Sequence, residues 1–244
     1  MIFVFDLDGT ICFDGKMISS ELIKLLTELS VKNQLVFASA RPIRDMLPLL
    51  SAFPEHFLIG GNGSIVRNNQ EIEIVQPILE SDFLVIKKII ADNDLDYLVD
   101  SDWNYALLNR DDTKAKINDK LDQLHLAQNI GLSEIDKAIK CCLLNHQEEN
   151  ILNELTKLEL EIVSHEKSEN IDLTAKAVNK YTSFRKYFPE EKYIAFGNDA
   201  NDVQLLAHAE LSIAIGNNRT LDFADVHLDE KEILGYLEKI KWQK

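Results

Sequence analysis

Met1-Ile2-Phe3-Val4-Phe5-Asp6-Leu7-Asp8-Gly9-Thr10 opens the chain. Ile2 to Phe5 form a short apolar run, which reads as a strand buried on both faces, as in a parallel sheet. Two carboxylates follow one residue apart, and Gly9 then breaks the strand. In open α/β sheets ligands bind beyond the carboxyl ends of the strands, and Asp6 and Asp8 fall at such an end. Alternation along an extended segment sends both side chains to the same side. Two anions that close repel each other unless a proton or a cation intervenes. A hard cation with oxygen ligands, with Mg²⁺ the leading choice, would relieve that repulsion. The competing reading is a plain strand-ending turn; the apolar strand before the pair and Thr10 after it favour chemistry.

Composition narrows the field. The chain has 244 residues and is 45% hydrophobic, enough for one large domain or two modest ones. Its formal net charge is −15, so nucleic acid and anionic membranes are not expected partners. The same charge repels phosphate esters at long range, so a phosphate site here needs local positive charge. No apolar run reaches the length of a membrane span, and the N-terminus lacks the pattern of a signal peptide. Cys141 and Cys142 are adjacent and Cys12 stands alone, which argues against a disulfide framework or a zinc site. The expectation is a cytoplasmic, reduced protein.

Working outward, residues 19–31 predict a helix capped by Ser19 or Ser20, with Leu22, Leu25, Leu26 and Leu29 on one face. Residues 34–38 predict a second buried strand, followed by Ser39-Ala40-Arg41-Pro42, with Pro42 opening a helix to about Ala52. A hydroxyl beside the N–H groups that open a helix is a ready phosphate site. A third strand at 57–60 leads into the turn cluster Gly60-Gly61-Asn62-Gly63 and a hairpin through Ile74. The pattern then changes. Helices at 82–92, 113–124 and 148–158 and strands at 96–99, 105–108, 138–144 and 160–164 predict a second α/β module, with hinges near Pro77 and near Asp172-Leu173-Thr174. His146, His165, Trp103 and Tyr105 lie in it and carry no site assignment. Strands at 193–196 and 211–215 and helices at 203–207, 218–224 and 229–241 complete the chain. The first of these strands ends in Gly197-Asn198-Asp199-Ala200-Asn201-Asp202, a third cluster of oxygen-bearing side chains at a strand end.

Asp6-Leu7-Asp8-Gly9-Thr10 resembles the first motif of the haloacid dehalogenase superfamily of phosphotransferases, apolar strand then D-x-D-G-T. Ser39 resembles the second motif, where Ser or Thr bonds the transferring phosphoryl group. Ser39-Ala40-Arg41 stands where Cof-like relatives commonly show A-T-G-R, so Arg41 matches, to hold the loop or to meet the substrate. Lys176-Ala177-Val178-Asn179-Lys180 resembles the third motif and aligns Lys180 with its lysine, with Lys176 the competing choice; Tyr181 stands where Gly is usual. Gly197 to Asp202 resembles G-D-x-x-N-D, with Asn198 at the position of the first Asp and an added Asp199. Asn62-Gly63 resembles a Cof-like N-G-A segment, though as a turn it needs no functional reading. The resemblance covers both termini and implies a Rossmann-like doubly wound parallel-sheet core, residues 1–79 and 173–244, with an inserted α/β cap domain, residues 80–172.

The resemblance also implies a chemistry. Asp6 is the nucleophile and Asp8 the general acid/base. Ser39, Ala40, Lys180 and Asn201 bind phosphate, with Asp202 and Arg41 in support. Mg²⁺ is held by Asp6, the Asp8 backbone carbonyl and the fourth motif, through Asn198 with Asp199 assisting, or through Asp199 instead. The reaction is hydrolysis of a small phosphate monoester, a sugar phosphate or similar metabolite, through an aspartyl-phosphate, by a monomer or homodimer. A phosphomutase of the same superfamily and a non-catalytic phosphosugar-binding regulator are the alternatives.

Overall fold

The computed structural model describes residues 1–111, 117, 121–144, 149–165 and 170–240. Its core is an eight-stranded sheet. The strands are β1 (Ile2–Asp6), β2 (Gln34–Ala38), β3 (Phe57–Gly60), β4 (Ile65–Asn68) and β5 (Glu71–Ile74). After the insertion come β11 (Tyr193–Gly197), β12 (Leu211–Ile215) and β13 (Val226–Leu228). The spatial order is β13-β12-β11-β1-β2-β3-β4-β5. Pairing is parallel from β13 to β3 and antiparallel in the β3-β4-β5 edge. The chain therefore winds to one side of β1 first and to the other side later, which places the topological switch at the end of β1.

β1 is buried along its whole length, and its residues sort onto two faces as the pleat requires. Phe3 and Phe5 pack into one hydrophobic layer with Leu26, Phe37 and Phe196. Ile2 and Val4 pack into the other with Phe184, Tyr193 and Leu205. Helix α1 (Ser20–Ser30) presents Leu22, Leu25, Leu26 and Leu29 to the first layer and is capped by Ser19, whose hydroxyl accepts from the Leu22 N–H.

The inserted module is a five-stranded antiparallel sheet. Its strands are β6 (Asp96–Asp100), β7 (Tyr105–Leu108), β8 (Lys140–Leu144), β9 (Leu160–His165) and β10 (Asn170–Ala175), in the order β7-β6-β8-β10-β9. It has its own core, in which Phe83, Ile86 and Ile90 of helix α3 (Glu80–Asp92) meet Val99, Cys141 and Leu143. All three cysteines are buried free thiols. No helix among the described residues is long and apolar enough to cross a membrane.

Three expected elements differ, and one strand was not expected. The helix after Pro42 is regular only over Ile43–Met46, here α2, before it loosens into turns. Pro48 has no N–H with which to continue the ladder. Residues 172–174 are not a hinge: they lie inside β10, paired to β9 through Ala175 and to β8 through Leu173. The chain leaves the module after that, through Ala177, whose φ is 60°. The helix expected over 218–224 is a single tight turn, Arg219–Leu221, and the three-residue strand β13 had no signal of its own. The helix expected over 113–124 falls mostly outside the described residues, as does His146.

Candidate active site

β1 ends at Asp6, so the extended alternation stops there and the two carboxylates take different partners. Asp6 is 4% exposed. Its Oδ2 accepts from the Thr10 hydroxyl at 2.8 Å, and its Oδ1 accepts from Lys180 Nζ at 2.6 Å. Lys180 opens helix α5 (Lys180–Tyr187; the one helix of the module's later half, Glu149–Leu155, is α4). Asn179 caps α5 by accepting from the Thr182 N–H. Lys180 is fully buried and also donates to Asp202 Oδ1 at 2.7 Å. Lys176 is instead paired with Glu159 on the surface. Tyr181, where the resemblance expects Gly, stacks on His208 at 4.1 Å between ring centroids.

Asp202 anchors the loop after β11. Its Oδ2 accepts from the backbone N–H groups of Asn198, at 2.9 Å, and Asp199, at 3.2 Å. A Cβ on Gly197 would come within 2.6 Å of the Asp202 carboxyl carbon, so only glycine allows this approach. The loop carries Asn198 onto the first motif: a side chain on Gly9, whose φ is 79°, would overlap the Asn198 carboxamide. Asp199 Oδ1 accepts from Ala200 N–H at 2.8 Å and from Asn218 Nδ2 at 3.0 Å. Asn201 Nδ2 donates to Asn62 Oδ1.

Two carboxylates, Asp6 and Asp202, share one buried lysine. Burial first, and then Asp202, push the Asp6 carboxyl up to about 7 against the pull of Lys180. Burial alone would lower the Lys180 ammonium, but Asp202 and Asp6 outweigh it and raise it. Asp8, in contrast, faces a cleft. Arg41 grips it through Nε at 2.7 Å and Nη2 at 2.6 Å, and the same Nη2 reaches the Gly15 carbonyl at 2.7 Å. Arg41 thus holds the first-motif loop, and it also lines the cleft. Ser39 is buried, and its hydroxyl accepts from the Arg41 N–H at 3.1 Å. The cleft, about 230 Å³, runs between Asp8, Ala40 and Arg41 on the core and Leu98, Lys140 and Asp172 on the module.

The donor set suits a hard cation. Among the described residues no three His, Cys, Asp or Glu side chains converge as a metal cluster. An ion here would take the Asp6 carboxylate and lean on carbonyl-type oxygens, the Asp8 backbone and the Asn198 carboxamide, which is an all-oxygen set of the kind Mg²⁺ accepts. The surplus of negative charge around Asp6 has the right sign for it.

Several groups were not legible in the sequence. Arg44 is buried and joins the two sheets: it donates to Asp45 of its own helix and to Asp100 and the Trp103 carbonyl of the module. Its guanidinium also sits 4.8 Å from the centroid of the Tyr105 ring. Lys140 and Asp172 reach the core from the module. Nothing in their spacing marks them, since their partners are supplied by the crossing of two sheets.

Residues 3–224 match the family described as haloacid dehalogenase-like hydrolase. No match is found among curated proteins. The fold is shared with solved structures. A sugar phosphatase of haloacid dehalogenase subclass IIB is 20% identical, with TM-score 0.80 over 98% of this chain and 97% of the other. A haloacid dehalogenase-like hydrolase from Bacteroides thetaiotaomicron is 21% identical, with TM-score 0.79 over 98% of each chain. A protein from Thermotoga maritima is 22% identical, with TM-score 0.78 over 98% of this chain and 96% of that one.

Proposed function

The chain belongs to the haloacid dehalogenase-like hydrolases, and from that premise we propose that it is a Mg²⁺-dependent phosphatase of small phosphate monoesters, sugar phosphates foremost. The observation that carries the reading is Asp6, buried at the switch point of the sheet and oriented through both oxygens by Thr10 and Lys180. Fixed in this way, Asp6 attacks the substrate phosphorus and becomes an aspartyl-phosphate, which divides one hard displacement into two. Asp8 gives its proton to the leaving oxygen and then takes one from the attacking water. To hold that proton Asp8 must loosen from Arg41, which favours its charged form. Lys180, Ser39 and Asn201 hold the phosphoryl oxygens, and catalysis is mostly positioning and electrostatics. When bound, Mg²⁺ on Asp6, the Asp8 carbonyl and Asn198 offsets charge on the transferring group.

Residues from α3 to β10 act as the cap, with Leu98 and Asn170 facing the leaving group across the cleft. A cleft of about 230 Å³ accommodates a small phosphorylated metabolite. The test is release of phosphate from an aryl phosphate and from a panel of phosphorylated metabolites, with and without Mg²⁺. No release from any of them under saturating Mg²⁺ would leave the non-catalytic regulator standing. Isomerisation outrunning hydrolysis would identify a mutase.

A further inference from the structure

Asn62 has no place in the reaction above, yet the fold goes to some cost to hold it. Its φ is 56°, the left-handed region that residues other than glycine seldom adopt, and its side chain is buried. It stands in the middle of a hydrogen-bonded chain. Asn201 Nδ2 donates to Asn62 Oδ1 at 2.9 Å. Asn62 Nδ2 donates to Asp172 Oδ2 at 2.9 Å. That oxygen lies 2.9 Å from Lys140 Nζ, which also donates to the Ala40 carbonyl at 3.1 Å. The chain starts in the loop after β11, crosses into the module at Asp172, and returns to the core in the loop after β2.

The order of donors along it is forced. An ionised carboxylate only accepts, so Asp172 makes Asn62 present its NH₂ side. Asn62 must then offer its oxygen to Asn201, and Asn201 must be a donor through Nδ2. Lys140 can only donate, and it holds the Asp172 oxygen at 2.9 Å; the buried ammonium is lowered by desolvation, but the Asp172 charge more than restores it. Phosphoryl oxygens are acceptors, so a donor amide is the orientation they need.

Resting on the phosphatase reading, we infer that Asp172 and Lys140 are positioning residues, which act through Asn62 to fix the Asn201 amide for phosphate and to tie the Ala40 loop to the module. The phosphate loops then take their working geometry only while the module is seated. A group that merely satisfied buried polar atoms would give losses independent of Asn201.

The experiment measures binding of inorganic phosphate with Mg²⁺ by calorimetry, together with steady-state rates. The variants are Asn62→Gly, which keeps the left-handed backbone, and Asp172→Asn, which lets the amide order reverse. Each is made alone and on an Asn201→Ala background. Each single change should weaken phosphate by about tenfold, the worth of one buried polar contact, and raise KM with kcat nearly kept. On the Asn201→Ala background the further loss from Asn62→Gly should vanish, and that from Asp172→Asn should shrink to the part carried by Lys140 and the Ala40 loop. Equal losses on both backgrounds, or unchanged phosphate affinity in folded variants, would overturn the relay. If Asn62→Gly does not fold, Asp172→Asn decides alone. A wild-type protein that binds phosphate but hydrolyses no ester would sink the phosphatase reading, and the calorimetry would still judge the relay.

Discussion

At Asp6 the fold holds a carboxylate where burial disfavours its charge. Its proton is retained up to about pH 7 in the folded chain, against an ordinary value of 3.8. The native state therefore binds this proton more tightly than the unfolded state. The contribution of Asp6 to stability turns unfavourable as pH rises from about 4 to about 7. Asp6→Asn should abolish turnover and raise the melting temperature at pH 8, with the gain disappearing near pH 4; an equal shift at both pH values would contradict the charge argument. His56 behaves in the opposite sense. Burial lowers it below 6.5, with Arg67 adding to the effect, and its ring packs on Phe53. Its contribution to stability is present above 6.5 and is lost as pH falls below that. Measured on an Asp6→Asn background, which removes the opposing slope, His56→Gln should flatten stability between pH 5 and 6.5. Asn198 and Asp199 can be told apart by titrating Mg²⁺ against rate. Asn198 lies against Gly9, whereas Asp199 is engaged by Ala200 and Asn218. Asn198→Ala should raise the Mg²⁺ needed for half-maximal rate and Asn198→Asp lower it, with Asp199→Ala the smaller change. A crippling Asp199→Ala beside a silent Asn198→Ala would move the ligand by one residue.

Among the elements, the short helix α2 matters beyond its length, because Arg44 on it is the buried ionic tie between the two sheets. Removing one partner of such a network leaves Asp45 and Asp100 buried without their counter-ion, so Arg44→Met should cost about 3–5 kcal/mol in urea unfolding. A cost under 1 kcal/mol would mean that water reaches the two carboxylates. Arg44 also marks the limit of what the sequence disclosed. β1, β2, β3, β11 and β12 were readable because apolar runs of four or five residues ended in Asp, Ser, Gly or Asn, and each such end landed at the site. Lys180 and Asn201 came from the resemblance to the family's third and fourth motifs. β10 was missed because Asp172 and Thr174 look like a turn, and the reason they tolerate burial, Lys140 and Asn62 for one and the Val178 carbonyl for the other, is tertiary. The apolar pattern after Pro42 predicts a longer helix than α2, because Pro48 breaks the ladder that the pattern would continue. The Arg41–Asp8 pair was half visible: the residues were named, but not that they would meet.

For the molecule as a whole, the two sheets meet at a handful of polar ties around one cleft. If the module selects the substrate, exchanging it for that of a related fold should change which phosphate ester is preferred and affect a small aryl phosphate less. The joints should be cut before α3 and after Ala175, since a cut at residue 173 would sever β10. A folded chimera with an unchanged substrate ranking would refute the assignment.

The position of β1 in the sheet has a further consequence, for how the protein is made. Ile2 pairs with Gln34 on one side but with Tyr193 on the other. During synthesis the strand that ends in Asp6 finds its first neighbour early and its second only when most of the chain has been translated. At ~5–20 residues per second that interval is roughly 10–30 s. Throughout it, one edge of a strand that is buried along its whole length in the finished fold is an open template for a neighbouring nascent chain. The insertion, proposed above to select the substrate, also lengthens the time during which each new copy is vulnerable on the ribosome.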